Sequence, residues 1–515
     1  MKILNNKYLL LSMSLLVFTA CIEDQEDAVP YSEQFVEVTS GTADFSNMVA
    51  LGATVTAGYT DGALFYEGQK NSFANIMSGV MSQAIENQSS NTFSQPYTDD
   101  NIGGLLIGGQ PYNGSRLFFN GSGPASLPGT TTTDALNVQA GPYSNMAAPG
   151  VNAVHMLAPG YGSFAGLQVG QANPYYVRMA SSQGASILGD AIAQAPSFVS
   201  LWSGFSDALA YATDGGTNVP LPDLTSAQGF GFAFGTTAGS LNAYVANGVV
   251  INVPDVTNNP FFNTIPWNAI PLDPATAGGL SAAFAPYNGG LDAAVGLYAA
   301  TGGAYGISQA EADLRYILVE AGPANPILIN DEELTVIDLT PFGGPVLPNL
   351  RHTNSSDKIL LSTSSILGTQ ADPNNPTLVW GVSVPLDDTR VLTGSEISAL
   401  QTAIAGMNST IDALAPAGWA RFDAHSFFNE VVEQGVQFDD YVMTGDLVFG
   451  GFFSLDGIHP TARGNALLAN KVMEAIDATY GSNLSEAAAV AGEFPTNYSP
   501  TTVSYTHLRA HETKC

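Results

Sequence analysis

Cysteine is nearly missing from this chain, which holds Cys21 and Cys515 alone, so neither a disulfide framework nor a cysteine-based zinc site can be built from it. Basic residues are scarce as well: 14 Lys and Arg stand against 45 Asp and Glu, a formal charge of −31. Such a field repels polyanions, so nucleic acid is excluded as a partner and anionic headgroups are disfavoured. Charge of either sign is thin, at 11% of residues, while glycine (54) and proline (30) are plentiful. The expectation is therefore much turn and loop, few long amphipathic helices, and a surface made polar by Asn, Ser and Thr. No glycine-rich phosphate cradle or dinucleotide fingerprint occurs, and neither a cofactor nor a metal is expected. Apolar material is not lacking: 45% of the 515 residues are hydrophobic, enough for two or three average domains or for one α/β domain swollen by insertions.

Lys2 and Lys7 precede the apolar run Leu9 to Phe18, and Thr19-Ala20 lead into Cys21. This is the layout of a secretory signal over residues 1–20 ending at a lipidation site, and its apolar run is too short to span a bilayer. It is similar to a bacterial lipobox, with Phe18 where Leu is usual; plain signal-peptidase cleavage is the alternative. Residues 21–44 read as an acidic tether. Within it, Glu23-Asp24-Gln25-Glu26-Asp27 resembles the surface-export signal of lipoproteins from Bacteroidota, and a solvated linker explains it equally. The expected location is the outer membrane or cell surface, anchored at Cys21, with a periplasmic or secreted form as the alternative. At the other end, residues 489–515 read as a tail. Its last stretch, 504–515, holds two of the six histidines and resembles a translated sequencing adapter, so it is set aside as non-native together with Cys515.

Between these ends, residues 45–488 read as one domain. Met48-Val49-Ala50-Leu51 is a short buried strand entering a turn at Gly52, and Phe73, Ile76, Met77, Val80 and Ala84 recur at helical steps. Residues 89–150 are rich in Gly, Asn, Pro and Thr and predict long surface loops. Ser197 to Trp202 and Val249 to Val253 are further strands. The stretch from about 260 to 388 has scattered periodicity and reads as an insertion, not an independent domain. Ile397, Leu400, Ile404, Met407, Ile411 and Leu414 then trace a helical stripe behind a Thr393/Glu396 capping box. Trp419 to Asp423 predicts a strand. A last helix is expected from Pro460, as its first residue, to about Tyr480, stopped by Gly481, with Leu468, Val472, Met473 and Ile476 inward. Strands alternating with helices argue for a parallel sheet covered on both faces.

In such a sheet the functional groups gather beyond the strand C-termini. Three stretches sit there: Leu51 to Tyr59, which presents the Thr54 hydroxyl; Trp202 to Asp207; and Leu455 to Pro460. In the last, Asp456 stands three residues before His459 on a loop fixed by Pro460. That spacing lets the carboxylate take one imidazole nitrogen while the other faces a nucleophile; a helix-capping pair is the plainer reading.

These stretches together resemble the blocks of the GDSL/SGNH hydrolases. Leu51 to Tyr59 is similar to the first block, Gly-Asp-Ser-Leu followed by Thr-Ala-Gly-Tyr. Asn145 to Gly150 resembles the second, Ser203 to Asp207 the third (Gly-x-Asn-Asp), and Asp456 to His459 the fifth (Asp-x-x-His-Pro-Thr). The resemblance spans roughly residues 44–485 and suits the long lipoprotein members from Bacteroidota. It implies a three-layer α/β flavodoxin-like fold with long loop insertions. It also implies a catalytic set of Thr54, Asp456 and His459, an oxyanion hole from Thr54, Gly150 and Ser206, and Asp207 as a structural brace. Thr54 stands where the family has Ser, with Ala53 before it, and Ser206 stands where the family has Asn.

Two functions follow. In one, Thr54 attacks a carboxylic ester of a small molecule, lipid or acetylated glycan and passes through an acyl-enzyme. In the other, the fold binds a glycan or lipid at the cell surface without cleaving it. A sequence error at the altered codons is a third reading. The protein is expected to be a monomer. His155, His352 and His425 lack a carboxylate at useful spacing and read as surface or hydrogen-bonded histidines. Asp331-Glu332-Glu333 lacks the periodicity of a calcium loop and reads as a solvated acidic cluster.

Overall fold

Four strands, all parallel, make the sheet on which the chain is built: β1 (Met48–Leu51), β2 (Phe198–Trp202), β3 (Asn247–Ile251) and β4 (Ala420–Phe422), hydrogen-bonded in that order. The computed structural model describes residues 37–85, 93–139, 141–226 and 228–500. The signal, Cys21, most of the tether and the stretch 504–515 lie outside the described residues. On the open side of β1, Met146 N donates to Ala50 O and Ala50 N to Ser144 O, so the Asn145 segment adds one parallel bridge to that edge.

Every residue of β1 and β2 is buried, whichever pleat face it points to. A parallel sheet covered on both sides has this property, which is why its strands read as unbroken apolar runs. Two groups of helices accompany it. Helix α2 (Phe73–Met81) packs on α8 (Ala462–Tyr480), which lies against β4, while α6 (Gly394–Leu414) packs on α3 (Phe205–Thr213) and α4 (Phe230–Asn242). Further helices are α1 (Thr54–Ala57), α5 (Pro274–Thr301) and α7 (Ala424–Glu433). One hydrophobic core joins the sheet to these helices apart from α5, with residues drawn from Val38 to Ala491. Among the described residues no helix is long and apolar enough to cross a membrane.

Local signals account for most boundaries. Thr393 and Glu396 form the expected capping box, with Thr393 N donating to Glu396 Oε2 at 2.7 Å. Of the stripe behind it, Leu414 is exposed because the helix ends there. The last helix begins two residues later than expected: Thr461 is the N-cap, its hydroxyl accepting from Gly464 N, and Pro460 stands before the cap instead of inside the helix. Gly481, in the left-handed region, ends it as expected.

Two stretches depart from the sequence expectations. Residues 89–150 are not only surface loops: Leu105–Ile107 pairs with Gln110–Asn113 and Leu117–Phe119 with Pro124–Ser126, while Leu105, Arg116, Thr133 and Ala135 are buried. The insertion contains the 28-residue α5, whose alanines offset the cost of five glycines and of Pro286 in its interior. It has two small cores of its own, one around Tyr287, Leu291 and Leu328 and one around Ile327, Ile329 and Leu386. It nevertheless belongs to the same compact unit as the sheet.

Candidate active site

Beyond the C-terminal end of β1 the chain turns at Gly52 straight into α1. The turn demands glycine, since an added Cβ there would lie 2.2 Å from Thr56 Oγ1 and 3.2 Å from Trp202 O. Ala53 gives the helix no side-chain cap. Thr54 is the first helical residue, so its N–H has no acceptor within the helix. Its hydroxyl is buried, with the residue 8% exposed, and has no hydrogen-bond partner.

The loop from Phe452 to Thr461 folds back on itself. Ser454 N donates to His459 O at 2.7 Å and Thr461 N to Phe452 O at 2.8 Å, while Gly457, at φ +72°, brings the chain against Phe261. That turn sets Asp456 beneath His459. The Asp456 Oδ2 accepts from His459 Nδ1 at 2.9 Å and from Gly62 N at 2.8 Å; Oδ1 accepts from Ile458 N and His459 N. Burial alone would push this carboxyl up, but the facing imidazole and the amide donors outweigh it and hold it at about 2. With Nδ1 committed to a carboxylate, Nε2 carries the lone pair, and it is buried without a partner. Tyr59, with ring centroids 4.9 Å apart, packs against the imidazole.

Thr54, Gly150, Asp456 and His459 line one cavity of about 510 Å³, whose walls also include Tyr59, Tyr161, Tyr175, Asn113 and Asn173. No lysine or arginine is among its lining residues, so no fixed cation there would attract an anionic ligand. Thr54 and His459 both line this cavity; Thr54 Oγ1 and His459 Nε2 are each buried and are not hydrogen-bonded to each other. Gly150 has φ +77°, a conformation that strains any residue with a side chain although space is open, and its N–H makes no hydrogen bond among the described residues. Ser206 behaves differently. Its hydroxyl is buried and partnerless, but the residue is not part of the lining, to which α3 contributes Leu209 and Thr213. Asp207 accepts from Ala153 N at 3.0 Å and thereby ties α3 to the segment after Gly150; burial pushes its carboxyl up to about 6.

Two further residues brace the site: Asn173, which no sequence signal singled out, and Asp61, whose Asp61-Gly62-Ala63 counted only towards the family resemblance. Asn173 caps the helix Pro174–Met179 and donates from Nδ2 to Pro149 O at 2.7 Å, pinning the residue before Gly150. An Asn-Pro dipeptide is a helix-start signal, but only the fold shows that this one stands at the cavity. Asp61, fully buried at φ +51°, accepts from Leu455 N at 3.1 Å and donates its own N–H to Ser454 Oγ at 3.0 Å. It thus clasps the loop that holds the Asp456–His459 pair. Burial pushes its carboxyl up to about 7, against an ordinary 3.8. Because the folded state favours the protonated form, Asp61 costs nothing near pH 3.8 and progressively more as pH rises towards 7. The Asp61→Asn variant should therefore match the parent in chemical denaturation at about pH 4 and exceed it above about pH 7, by on the order of 4 kcal/mol. An equal gap at both pH values would contradict the burial of this charge.

His155 accepts or donates to Tyr161 OH at 3.0 Å and stacks on its ring, while His425 Nδ1 contacts Asn429 Nδ2 at 3.4 Å. Burial lowers His352 to about 4. Asp331 is not solvated as expected: it is buried against Arg351. Among the described residues, three carboxylates with metal-ligand spacing occur, Glu332, Asp388 and Glu396, none of them in the cavity lining. Set against protein-family models, curated proteins and solved structures, the chain matches none of them.

Proposed function

We propose that this chain is an SGNH-type carboxylic-ester hydrolase in which Thr54 is the nucleophile, His459 the general base and acid, and Asp456 the group that orients it. The observation that carries the reading is the convergence, on one cavity, of a partnerless hydroxyl and a partnerless imidazole nitrogen whose other nitrogen is tied to a carboxylate. The strand sequence adds support: with the Asn145 bridge counted, the order Asn145–β1–β2–β3–β4 corresponds to 2-1-3-4-5, the flavodoxin-like arrangement.

In the proposed reaction Thr54 Oγ attacks the ester carbonyl carbon while His459 Nε2 takes the hydroxyl proton. The oxyanion accepts from the Thr54 and Gly150 N–H groups. His459 then returns the proton to the departing alkoxide, leaving an acyl-Thr54. Water, deprotonated by His459, then attacks the acyl carbon; the bond to Thr54 Oγ breaks, His459 gives the proton to that oxygen, and the acid is released. Substrates in this reading are esters of small molecules, lipids or acetylated glycans, met by a chain anchored at Cys21 on the cell surface. Fatty-acid labelling lost in Cys21→Ala would support the anchor, and unchanged labelling would refute it.

The threonine methyl restricts rotation about χ1 and crowds the attacking face. Thr54→Ser is accordingly expected to raise kcat on short-chain p-nitrophenyl esters by about tenfold, with KM little changed. A binding protein that holds its ligand uncleaved is the second reading. It is favoured by the lack of a hydrogen bond between Thr54 and His459 and by the absence of Ser206 from the cavity lining. Inert parent and inert Thr54→Ser, combined with glycan or lipid binding, would decide for it.

A further inference from the structure

The walls of the cavity are rich in tyrosine. Tyr59, Tyr112, Tyr161 and Tyr175 line it, whereas its large aliphatic side chains are Leu209 and Ile458 alone among the described residues. A tyrosine gives a ligand both an apolar ring face and a polar tip. A hydrocarbon chain laid against this lining would strip water from the polar tips and offer no bond in exchange. A fatty acyl chain therefore matches the cavity poorly, and a ligand that carries hydroxyls of its own matches it well.

Three of the lining residues come together from two segments. The strand Gln110–Asn113 contributes Tyr112 and Asn113, and the helix Pro174–Met179 contributes Tyr175 from its first turn. Asn113 Nδ2 donates to Tyr175 OH at 3.0 Å. That bond engages the amide nitrogen and a phenol lone pair, while Asn113 Oδ1 as acceptor and the Tyr175 O–H as donor have no partner among the described residues. An acceptor and a donor held one hydrogen bond apart complement two neighbouring hydroxyls of one ligand, the first giving a proton and the second receiving one. Tyr112 is 54% exposed and lines the cavity, so its ring stands at the mouth as a flat apolar face. The other two phenols are already engaged, Tyr59 with Gly62 O and Tyr161 with His155 Nδ1. Burial, with Tyr112 adding to it, pushes the Tyr175 phenol up to about 12, so at neutral pH it keeps its proton.

We propose that this cavity takes a neutral acylated sugar, its ring on Tyr112 and two of its hydroxyls on Asn113 Oδ1 and the Tyr175 O–H. A sugar ring presents C–H faces between its hydroxyls, which is the pattern that a rigid tyrosine face beside a donor and an acceptor complements. Acidic sugars are disfavoured, because no lysine or arginine lines the cavity and the chain carries a charge of −31. Cleavage of the bound ester rests on the hydrolase reading: water adds across it by way of acyl-Thr54, giving the acid and the sugar with one more free hydroxyl. Binding does not rest on that reading.

The test is calorimetric titration of the whole chain carrying Thr54→Ala, which lacks the hydroxyl for an acyl-enzyme, with partly acetylated xylo-, manno- and gluco-oligosaccharides. Saturable binding of at least one is expected, with Kd of about 1 mM or lower. Tyr112→Ala, at a half-exposed position, and Tyr175→Phe, which removes one hydroxyl, should each weaken it about tenfold, with circular dichroism to verify folding. An oligogalacturonate and a monolauroyl glycerol should not displace the sugar. In the parent, the KM for the same acetylated oligosaccharide should rise about tenfold in both variants, with kcat changed less. Binding by Thr54→Ala without turnover by the parent would sustain the sugar site and refute the hydrolase reading. Hydrolysis of p-nitrophenyl acetate by the parent with no oligosaccharide bound would do the reverse. Binding that neither Tyr112→Ala nor Tyr175→Phe weakens, or tighter binding of the lauroyl ester than of any oligosaccharide, would also overturn the sugar site.

Discussion

Replacing His459 by alanine should lower ester hydrolysis by about 10⁴-fold or more. In the proposed reaction the imidazole is the base for Thr54, since the one carboxylate among the cavity-lining residues, Asp456, is spent on four hydrogen bonds. A threonine hydroxyl without a base is a poor nucleophile at neutral pH. Asp456→Asn tests the same pair from below. It keeps the shape but can offer an N–H to Nδ1, which turns the imidazole into the wrong tautomer and should cost about 10⁴ in kcat if the parent turns over as a triad enzyme does. Steady-state kinetics on a short acyl ester, with circular dichroism to verify folding, decides the matter. Equal turnover in parent and His459→Ala would place any observed hydrolysis outside this site.

The second large effect concerns stability. Arg351, 4% exposed, meets Asp331 Oδ2 through Nε at 2.5 Å and Asp357 through both terminal nitrogens, at 2.6 and 3.0 Å. Burial opposes its charge, yet the two carboxylates more than offset that and hold the guanidinium ionised. Asp357 also accepts from Gly394 N, so the cluster joins the insertion to the start of α6. Arg351→Ala strands two buried carboxylates and should cost about 3–5 kcal/mol, read as a lowered midpoint in urea. Adding Asp331→Asn should recover part of the loss, because the cost lies in the uncompensated charge more than in the missing side chain. A loss under about 1 kcal/mol in the single variant would mean that water reaches the pair.

The strands were legible because both faces of a parallel sheet are covered: Phe198 to Trp202 cannot alternate with polar residues, so it stands out as a run. Helix α6 was legible from its stripe and from a capping box that uses a local hydrogen bond. Helix α5 was not, since Pro286 and five glycines hide a segment whose alanines favour helix. The hairpin at Leu105–Asn113 was hidden by its length, three or four residues a strand around Gly108-Gly109. At the site, the Asp456–His459 pair lay within one loop and was readable from spacing. Asn173 and Asp61 act through contacts with distant segments, which no local pattern encodes. Ser206 was carried over by resemblance, yet the start of α3 leaves it outside the cavity lining.

The contacts that assemble the dyad reach across almost the whole chain. Thr60 Oγ1 donates to Pro460 O and Gly62 N to Asp456 Oδ2, at separations of 400 and 394 residues. A nascent polypeptide still on the ribosome therefore carries the hydroxyl long before the imidazole exists, and the pair closes only after α8 has been synthesised and docked. Synthesis order thus keeps the two sides of the cavity apart until nearly all of the described chain has been made.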